Sequence, residues 1–239
     1  MIISWFSAGV SSAIATKYAI SKHGKDIKII YTHVDDQHPD TMRFLKDCEK
    51  WFDVEIEITQ SELKSVENAC LKSGFVNSPR GASCTRLLKR RVREIWEMGK
   101  NEEFTYIWGY DLTEKKRAVS IQEFMSEHNH EFPLIENEVT KKNAHGMLLE
   151  AGIKRPKMYD LGYPNNNCIG CIKGGAGYWN KIRIDFPEVF KKRCEMERKI
   201  GGKIFKDIYL DELPEDKGRN QEPICEECGI FCEVVGALL

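Results

Sequence analysis

Short apolar stretches alternate with helix-like stretches along residues 1–150. Residues 2–6 are too few for a helix and apolar enough for a buried strand, and residues 13–20 after them have a helical pattern. Strand-like patterns return at residues 27–34, 54–58 and 105–108, with helical patterns between them. Residues 128–130 are predicted to form a loop, and residues 132–135 a short strand or extended piece. Thr140 is predicted to cap a helix that runs to about residue 151. This alternation predicts an α/β fold, in which a Rossmann-like parallel sheet carries helices on both faces.

The pattern changes after Gly152, where loops, glycines and cysteines dominate until a helix predicted at residues 187–200. We therefore expect a main domain at residues 1–150 and a small cysteine-rich region at residues 151–239. A chain of 239 residues is long enough to bury a substantial core without disulfides. Its net charge of −1 gives no global field that would recruit nucleic acid or an anionic membrane.

How the nine cysteines are interpreted depends on whether the protein's compartment is oxidising or reducing. The N-terminus lacks the basic leader of a signal peptide, and no stretch approaches the length of a membrane span. We therefore expect a cytoplasmic protein with no membrane contact, in which thiols stay reduced. Cys168 and Cys171 form a CxxC, and a second cluster holds Cys225, Cys228 and Cys232. Such spacing predicts metal ligation or redox chemistry.

The loop from Ser7 to Ser12 joins the first strand to the first helix. A helix N-terminus presents unpaired N–H groups and the positive end of the helix dipole. The small residues Ala8 and Gly9 would let a phosphate approach this backbone, and the hydroxyls of Ser7, Ser11 and Ser12 would add hydrogen bonds. The loop predicts an oxyanion cradle for a phosphate group, with a plain serine-capped turn as the alternative.

Cysteines in two segments before the tail are candidate metal ligands. The CxxC lies among glycines that allow tight turns, which suits an iron–sulfur cluster or zinc. A thioredoxin-like redox pair is the alternative, and we rank it lower because no helix begins at Cys168. Cys84 begins a basic helix predicted at residues 85–98, where neighbouring Arg and Lys side chains are expected to lower its pKa. In the tail, the spacing of Cys225, Cys228 and Cys232 is also typical of zinc sites.

Basic residues concentrate at positions 80–93 and 115–117. Lys89, Arg90 and Arg117 are the candidates for binding a phosphate or sulfate group, because a guanidinium matches such anions bidentately. We interpret Arg91 and Arg93 as part of a solvated helix face. A local basic patch of this kind also leaves nucleic-acid binding open.

Several motifs, in this order and spacing, resemble the PAPS-reductase-like family of the PP-loop superfamily, which is adenine nucleotide alpha hydrolase-like. The resemblance covers about residues 1–200 and continues in the tail. The first motif follows a strand as S-x-G-x-x-S, with Ala8 and Ser11 where the PP-loop usually has glycine and aspartate. The other motifs are Cys84 to Lys89, Tyr106 to Asp111 with Arg117, Tyr159-x-Leu161-Gly162-Tyr163 before the CxxC, and Glu227-Cys228-Gly229-Ile230.

The resemblance implies that an adenine nucleotide, namely PAPS, adenylyl sulfate (APS) or ATP, lies on the cradle. Asp35 would then bind ribose hydroxyls or a metal such as magnesium, and Gly109 would follow the fourth strand beside the nucleotide. We interpret Asp36, which follows Asp35, as part of a solvated acidic turn. Lys89 and Arg117 would contact the substrate. Cys228 would attack the sulfonate sulfur, and a thioredoxin-like reductant would regenerate its thiol.

The family's cluster-bearing members imply a 4Fe–4S cluster, with zinc as the alternative. Cys84, Cys168 and Cys171 would supply three ligands, and the fourth would be Cys225, Cys228 or Cys232, or a position left open for substrate sulfur. The leading hypothesis is a sulfonucleotide reductase. One alternative is an ATP-dependent sulfurtransferase that thiolates a nucleobase, with nucleic acid as the sulfur acceptor. The other is a non-catalytic, metal-stabilised nucleotide-binding module.

Overall fold

The structure of the chain is a computed structural model that describes residues 1–78, 81–100, 102–219 and 224. The strands are β1 (Ile2–Phe6), β2 (Ile27–His33), β3 (Ile56–Gln60), β4 (Thr105–Ile107) and β5 (Asn129–Glu131). The helices are α1 (Val10–His23), α2 (Asp40–Phe52), α3 (Val66–Ser73), α4 (Arg91–Glu97), α5 (Lys115–Phe124), α6 (Pro133–Glu136), α7 (Lys141–Glu150), α8 (Lys157–Asp160), α9 (Ala176–Asp185) and α10 (Pro187–Ile200). Within these ranges, no helix has the length and apolar composition needed to cross a bilayer.

The five strands form one parallel sheet in the order β3-β2-β1-β4-β5. The chain adds β2 and β3 on one side of β1 and then returns to add β4 and β5 on the other. The switch point therefore lies between the carboxyl ends of β1 and β4, where open parallel sheets form their ligand crevice. The predicted α/β class with a Rossmann-like parallel sheet is confirmed.

The sheet core, a cluster of buried side chains from β1, β2, α1, α2 and α7, holds the sheet and its helices together. It includes Phe6, Ile29, Phe44 and Leu148, each at most 2% exposed. Helix α1 contributes small residues such as Ala13, which let it pack closely between the sheet and α7. This packing fixes the start of α1 against the carboxyl end of β1.

The second core, a separate cluster, joins α3 to the segment after residue 151. It includes Val66 and Cys70 of α3 with Trp179, Ile182 and Met196 of α9 and α10. Trp179 is fully buried. The predicted tail cluster of Cys225, Cys228 and Cys232 lies outside the described residues, so the cysteine-rich region and the division into two domains stay predictions.

Helix termini that carry a local sequence signal, such as a capping residue or a proline, were predicted well. Helix α10 spans Pro187–Ile200, and α7 begins after Thr140 as predicted. Thr140 Oγ1 accepts a hydrogen bond from the Asn143 N–H (3.2 Å), and Asn143 Oδ1 accepts one from the Thr140 N–H (3.1 Å). This reciprocal capping satisfies two backbone donors that the helix itself leaves unpaired.

Elements without local signals were missed or misplaced. Residues 128–130 were expected to form a loop, but Asn129–Glu131 form β5, a polar edge strand that only pairing with β4 reveals. The expected extended piece at residues 132–135 is wrong, because Pro133 starts the short helix α6. Helices α8 and α9 were not predicted. The single basic helix expected at residues 85–98 is a π-helical turn, Thr85–Arg90, followed by α4.

Candidate nucleotide and thiol site

The cradle, the loop from Ser7 to Ser12, lies at the carboxyl end of β1 and leads into α1. Ala8 adopts the left-handed conformation with φ of 56°, and Gly9 is the extended residue that precedes α1. The Ser7 N–H donates to Ser12 Oγ (3.1 Å), so the buried Ser12 hydroxyl closes the loop on itself. Ser7 is exposed and Ser11 is half-buried, which leaves their hydroxyls to serve an anion.

Gly109, which follows β4, supports the cradle from the other side of the switch point. A Cβ on Gly109 would lie 2.6 Å from Ser12 Cα and 2.9 Å from Ser12 N. Both atoms belong to the backbone of α1 and have no flexible end that could move away. Only glycine permits this approach, which brings the end of β4 against the start of α1. That Gly109 contacts a nucleotide stays a prediction.

Two residues that sequence reasoning did not assign to the site hold the cradle in place. The Val10 N–H donates to the Tyr159 hydroxyl (3.3 Å). The Asn166 side-chain amide donates to the Ala8 carbonyl (2.8 Å). Burial raises the pKa of Tyr159, so the phenol stays protonated. These partners lie about 150 residues away in the chain, and no local pattern connects them to the loop.

Asp35 occupies the position predicted for ribose or metal binding, at the end of β2. Its carboxylate accepts a hydrogen bond from Gln60 Nε2 (2.7 Å) and lies 3.6 Å from His33 Nε2. About half of the Asp35 side chain is exposed, so the carboxylate remains open to a ligand. Its role stays a prediction.

Asp36 was interpreted as part of a solvated acidic turn, and this is wrong. Its side chain is only 15% exposed and forms an ion pair with Arg193, whose side chain is 3% exposed. The other carboxylate oxygen accepts the Val66 N–H (2.6 Å) at the start of α3. The Asp36 carbonyl accepts the Ile169 N–H (2.8 Å), and Arg193 Nε donates to the Gly170 carbonyl (3.2 Å). These contacts tie the CxxC turn to the end of β2.

The CxxC turn, residues 168–171, is also closed internally. The Tyr178 hydroxyl accepts the Cys171 N–H (2.8 Å) and donates to the Cys168 carbonyl (3.1 Å). Cys84, Cys168 and Cys171 come near enough to interact electrostatically, although Cys84 lies more than eighty residues from the other two. The fold thus gathers three of the six cysteines that the sequence selected as metal ligands.

The expected low pKa of Cys84 is wrong. Burial raises the pKa of the Cys84 thiol, and the neighbouring charge of Cys171 raises it further. Lys173 and Lys89 oppose this change without reversing it. Burial likewise raises the pKa of Cys168, to about 12. Desolvation penalises a thiolate more than nearby lysines stabilise it, a balance that a sequence pattern does not reveal.

Thiols are groups that iron and zinc bind, but those of the described residues do not have the number or the arrangement of a metal site. In the part of the chain that the structure describes, no group of three His, Cys, Asp or Glu side chains is placed to hold a metal ion. A 4Fe–4S cluster takes four thiolates, and the described residues bring together three. The remaining candidates, Cys225, Cys228 and Cys232, lie outside the described residues. We therefore derive no chemical step through a metal.

The two predicted basic substrate contacts lie in different settings. Lys89 is exposed and close enough to Cys84 and Cys168 to oppose, without reversing, the rise in pKa that burial causes in both thiols. Arg117 is exposed on α5, pairs with Glu114, and stacks over the Tyr110 ring at 4.4 Å. Their contacts with a substrate stay predictions.

A parallel sheet whose switch point carries a small-residue loop at a helix N-terminus defines a nucleotide-binding α/β protein. The phosphoadenosine phosphosulfate reductase domain family matches residues 1–174. The chain belongs to this family, which is part of the PP-loop, adenine nucleotide alpha hydrolase-like superfamily. Members of the family are generally enzymes, either reductases or sulfurtransferases. Comparison with curated proteins gives no significant match.

Proposed function

We propose that the chain is an adenine-nucleotide-dependent sulfur-transfer enzyme that resembles phosphoadenosine phosphosulfate or adenylyl sulfate reductase. One observation carries the proposal. Asn166 stands two residues before Cys168, and its side-chain amide donates a hydrogen bond to the Ala8 carbonyl of the cradle (2.8 Å). This contact joins the predicted anion cradle to the thiol-bearing turn. Sulfur transfer from a nucleotide needs thiols close to the bound anion, and this contact brings the thiols of the CxxC turn towards the cradle. The attacking thiolate itself is assigned below to Cys228.

The proposed reaction is a displacement at sulfur. The Cys228 thiolate attacks the sulfonate sulfur, an S–S bond forms, and the S–O bond to the nucleotide phosphate breaks. The nucleotide leaves with the electron pair, and the enzyme carries a cysteine S-sulfonate. A thioredoxin-like dithiol then attacks the cysteine sulfur and releases sulfite. Its second thiol restores Cys228 and completes its own disulfide.

The assignment of Cys228 rests on its Glu-Cys-Gly motif, since Cys228 lies outside the described residues. Ile224 supports it. The Ile224 side chain packs against the sheet core, and its carbonyl accepts a hydrogen bond from Arg155 Nη1 (3.0 Å). Arg155 also acts electrostatically on Tyr159, the residue that holds Val10 of the cradle. Four residues of extended chain reach about 14 Å at most, so Ile224 limits how far Cys228 lies from this region.

Charge supports the same location for the anion. Lys89 lies beside the thiols, and the first turn of α1 carries no acidic residue. A sulfonate on the cradle would therefore meet the positive end of the α1 dipole, and we propose that its oxygens on the side of the thiols face the Lys89 ammonium. We propose that Cys84, Cys168 and Cys171, with a tail cysteine as the fourth, are the ligands of an iron–sulfur cluster or zinc, which would have to draw these thiols together from the positions that the structure describes.

The test is sulfite release from PAPS and from adenylyl sulfate, measured anaerobically with thioredoxin as the reductant. We expect Cys228→Ser to reduce sulfite release to background. Cys194→Ser is the matched control, because Cys194 lies on α10 outside the proposed chemistry, and it should retain the wild-type rate within about twofold. Unchanged release in Cys228→Ser would remove this residue from the mechanism. No release by the wild-type protein from either nucleotide would refute the reductase.

A second candidate function is ATP-dependent thiolation of a nucleobase. It is favoured by the proximity of Cys84, Cys168 and Cys171, because three thiols that closed on one metal centre would leave a fourth position for sulfide. In this form the nucleobase carbonyl oxygen attacks the α-phosphate of ATP and pyrophosphate leaves. Sulfide then attacks the activated carbon of the nucleic acid, AMP leaves with the oxygen, and a thiocarbonyl remains. Release of pyrophosphate from ATP that depends on added transfer RNA would support it. Tight nucleotide binding without turnover in either assay would favour the non-catalytic module instead.

A further inference from the structure

We propose that Tyr159 and Asn166 are positioning residues that clamp the CxxC turn to the nucleotide cradle. Through this clamp, an anion on the cradle changes the reactivity of the Cys168 thiol. The inference rests on the proposed function in one respect, namely that a nucleotide occupies the cradle. The clamp itself is a property of the folded chain.

The first half of the clamp is the Asn166 side chain. It is 6% exposed and donates from Nδ2 to the Ala8 carbonyl (2.8 Å) and to Thr41 Oγ1 (3.2 Å). Thr41, on α2, is 1% exposed. A buried amide with these partners is costly to displace, because any movement leaves polar atoms unpaired in the core. Asn166 therefore fixes the start of the CxxC turn to the cradle.

The second half of the clamp is the Tyr159 hydroxyl. It accepts the Val10 N–H (3.3 Å), and the backbone of Asn166 lies close enough to act electrostatically on the same oxygen. The phenolic oxygen thus binds the first turn of α1 and lies beside the residue that anchors the CxxC turn. His145 packs edge-on against the Tyr159 ring, with centroids 4.6 Å apart and an interplanar angle of 83°. Tyr159 is 4% and His145 1% exposed, so packing fixes the ring.

The other end of the turn is fixed as well. The Ile169 N–H donates to the Asp36 carbonyl (2.8 Å), and Arg193 donates to the Gly170 carbonyl. Cys168 therefore lies between two anchored residues, with one anchor on the cradle and the other on the end of β2. A change at either anchor must move the Cys168 backbone, because the intervening chain is too short to absorb it.

Occupancy of the cradle acts on the first anchor. Ala8 holds a left-handed conformation with φ of 56°, and its peptide carbonyl is the atom that Asn166 binds. An anion bound by the backbone N–H groups of this loop restrains the same peptide. Binding at the cradle and the position of the CxxC turn are therefore linked, and the linkage is reciprocal. Couplings of this kind range from about 5-fold to 150-fold.

The test measures the rate of iodoacetamide modification of each cysteine by peptide mass spectrometry, with and without saturating adenosine 3′,5′-bisphosphate. Cys194 serves as the internal reference thiol. In the wild-type protein we expect the nucleotide to slow modification of Cys168 at least about fivefold relative to Cys194. In Asn166→Ala we expect faster modification without nucleotide, by at least about fivefold, and a nucleotide effect below about twofold.

Asn167→Ala is the matched control, because Asn167 is an exposed asparagine adjacent to the same turn. It should behave like the wild-type protein. Tyr159→Phe removes only the hydroxyl and keeps the packed ring, so it tests the second half of the clamp should Asn166→Ala fold poorly. We expect Tyr159→Phe to change the Cys168 rate in the same direction as Asn166→Ala.

Three outcomes would count against these proposals. Equal Cys168 rates without nucleotide in the wild-type, Asn166→Ala and Tyr159→Phe proteins overturn the clamp. Protection of Cys168 that persists in Asn166→Ala at saturating nucleotide means direct shielding and overturns the coupling. Failure of the wild-type protein to bind either adenosine 3′,5′-bisphosphate or AMP, measured by calorimetry, refutes the proposed function and the coupling together. In that case only the Cys168 modification rates measured in the absence of nucleotide decide whether the clamp exists.

Discussion

Replacing Gly109 by alanine tests the contact that joins β4 to the cradle. The added methyl carbon would lie 2.6 Å from Ser12 Cα and 2.9 Å from Ser12 N, whereas ordinary contacts of such a carbon lie at 3.4–4 Å. The backbone must therefore separate by nearly 1 Å, and the atoms opposite are main chain at the start of a buried helix. Overpacking of this kind costs about 1–3 kcal/mol. We expect a loss at the upper end of that range, because no side chain can rotate away.

The assay is urea unfolding under reducing conditions, followed by circular dichroism, together with thermal melting. A loss of about 3 kcal/mol corresponds to a fall of about 6–12 °C in the melting temperature of a chain of this size. Gly9→Ala is the matched control in the same loop. A Cβ at Gly9 meets the Tyr159 hydroxyl at 3.4 Å and Ser7 Oγ at 3.5 Å, both ordinary contacts, so its cost should stay below about 1 kcal/mol. A Gly109→Ala protein as stable as the Gly9→Ala protein would refute the reasoning.

Three further predictions concern stability. Arg193→Met leaves the Asp36 carboxylate buried without its ion-pair partner and should lower the free energy of unfolding in urea by about 3–5 kcal/mol. Asp36→Asn in the same chain should restore part of this loss. A loss below about 1 kcal/mol would contradict the prediction. Burial lowers the pKa of His145 to about 3, so the unfolded chain binds the extra proton first. The free energy of unfolding should therefore fall as the pH drops below about 6.5, by about 1.4 kcal/mol per pH unit. His145→Leu should show a correspondingly shallower pH dependence, and equal slopes would disprove the assignment. Thr140→Ala removes the cap of α7 and should cost about 1 kcal/mol, whereas no change in the urea midpoint would show that the capping bond is unimportant.

The Arg193 prediction explains why a buried ion pair lies so near the thiols. Arg193 contacts both the Asp36 side chain and the Gly170 carbonyl, so one guanidinium fixes the end of β2 and the CxxC turn together. A hydrophobic pair of similar volume could give comparable stability. It would not provide directional hydrogen bonds to a carbonyl of the turn, and this favours a positioning role for the pair.

Features that depend on neighbours in the sequence were predictable. The strand–helix alternation gave the parallel sheet, the Thr140 cap gave the start of α7, and Pro187 gave the start of α10. The small residues from Ser7 to Ser12 indicated the loop between β1 and α1. Each of these is a local preference, expressed within a few residues by periodicity, capping or chain stiffness.

Features that depend on residues far apart were not predictable. Strand β5 has a polar sequence and exists because β4 pairs with it. The raised pKa of Cys84 follows from burial among residues of the second core, which outweighs the basic neighbours in its own segment. The sequence showed the neighbouring charges but not the loss of water, and desolvation is the larger effect here.

The amino-acid sequence by itself determined the class of fold, the place of the cradle and the identity of the candidate thiols. Only the tertiary structure decided how these parts meet. Asn166 binds Ala8 across 158 residues, Tyr159 binds Val10 across 149, and Arg193 pairs with Asp36 across 157. Local propensity acts over one or two turns of chain, whereas these contacts exist because the burial of two apolar cores brings distant backbone segments together and leaves their polar atoms to be paired.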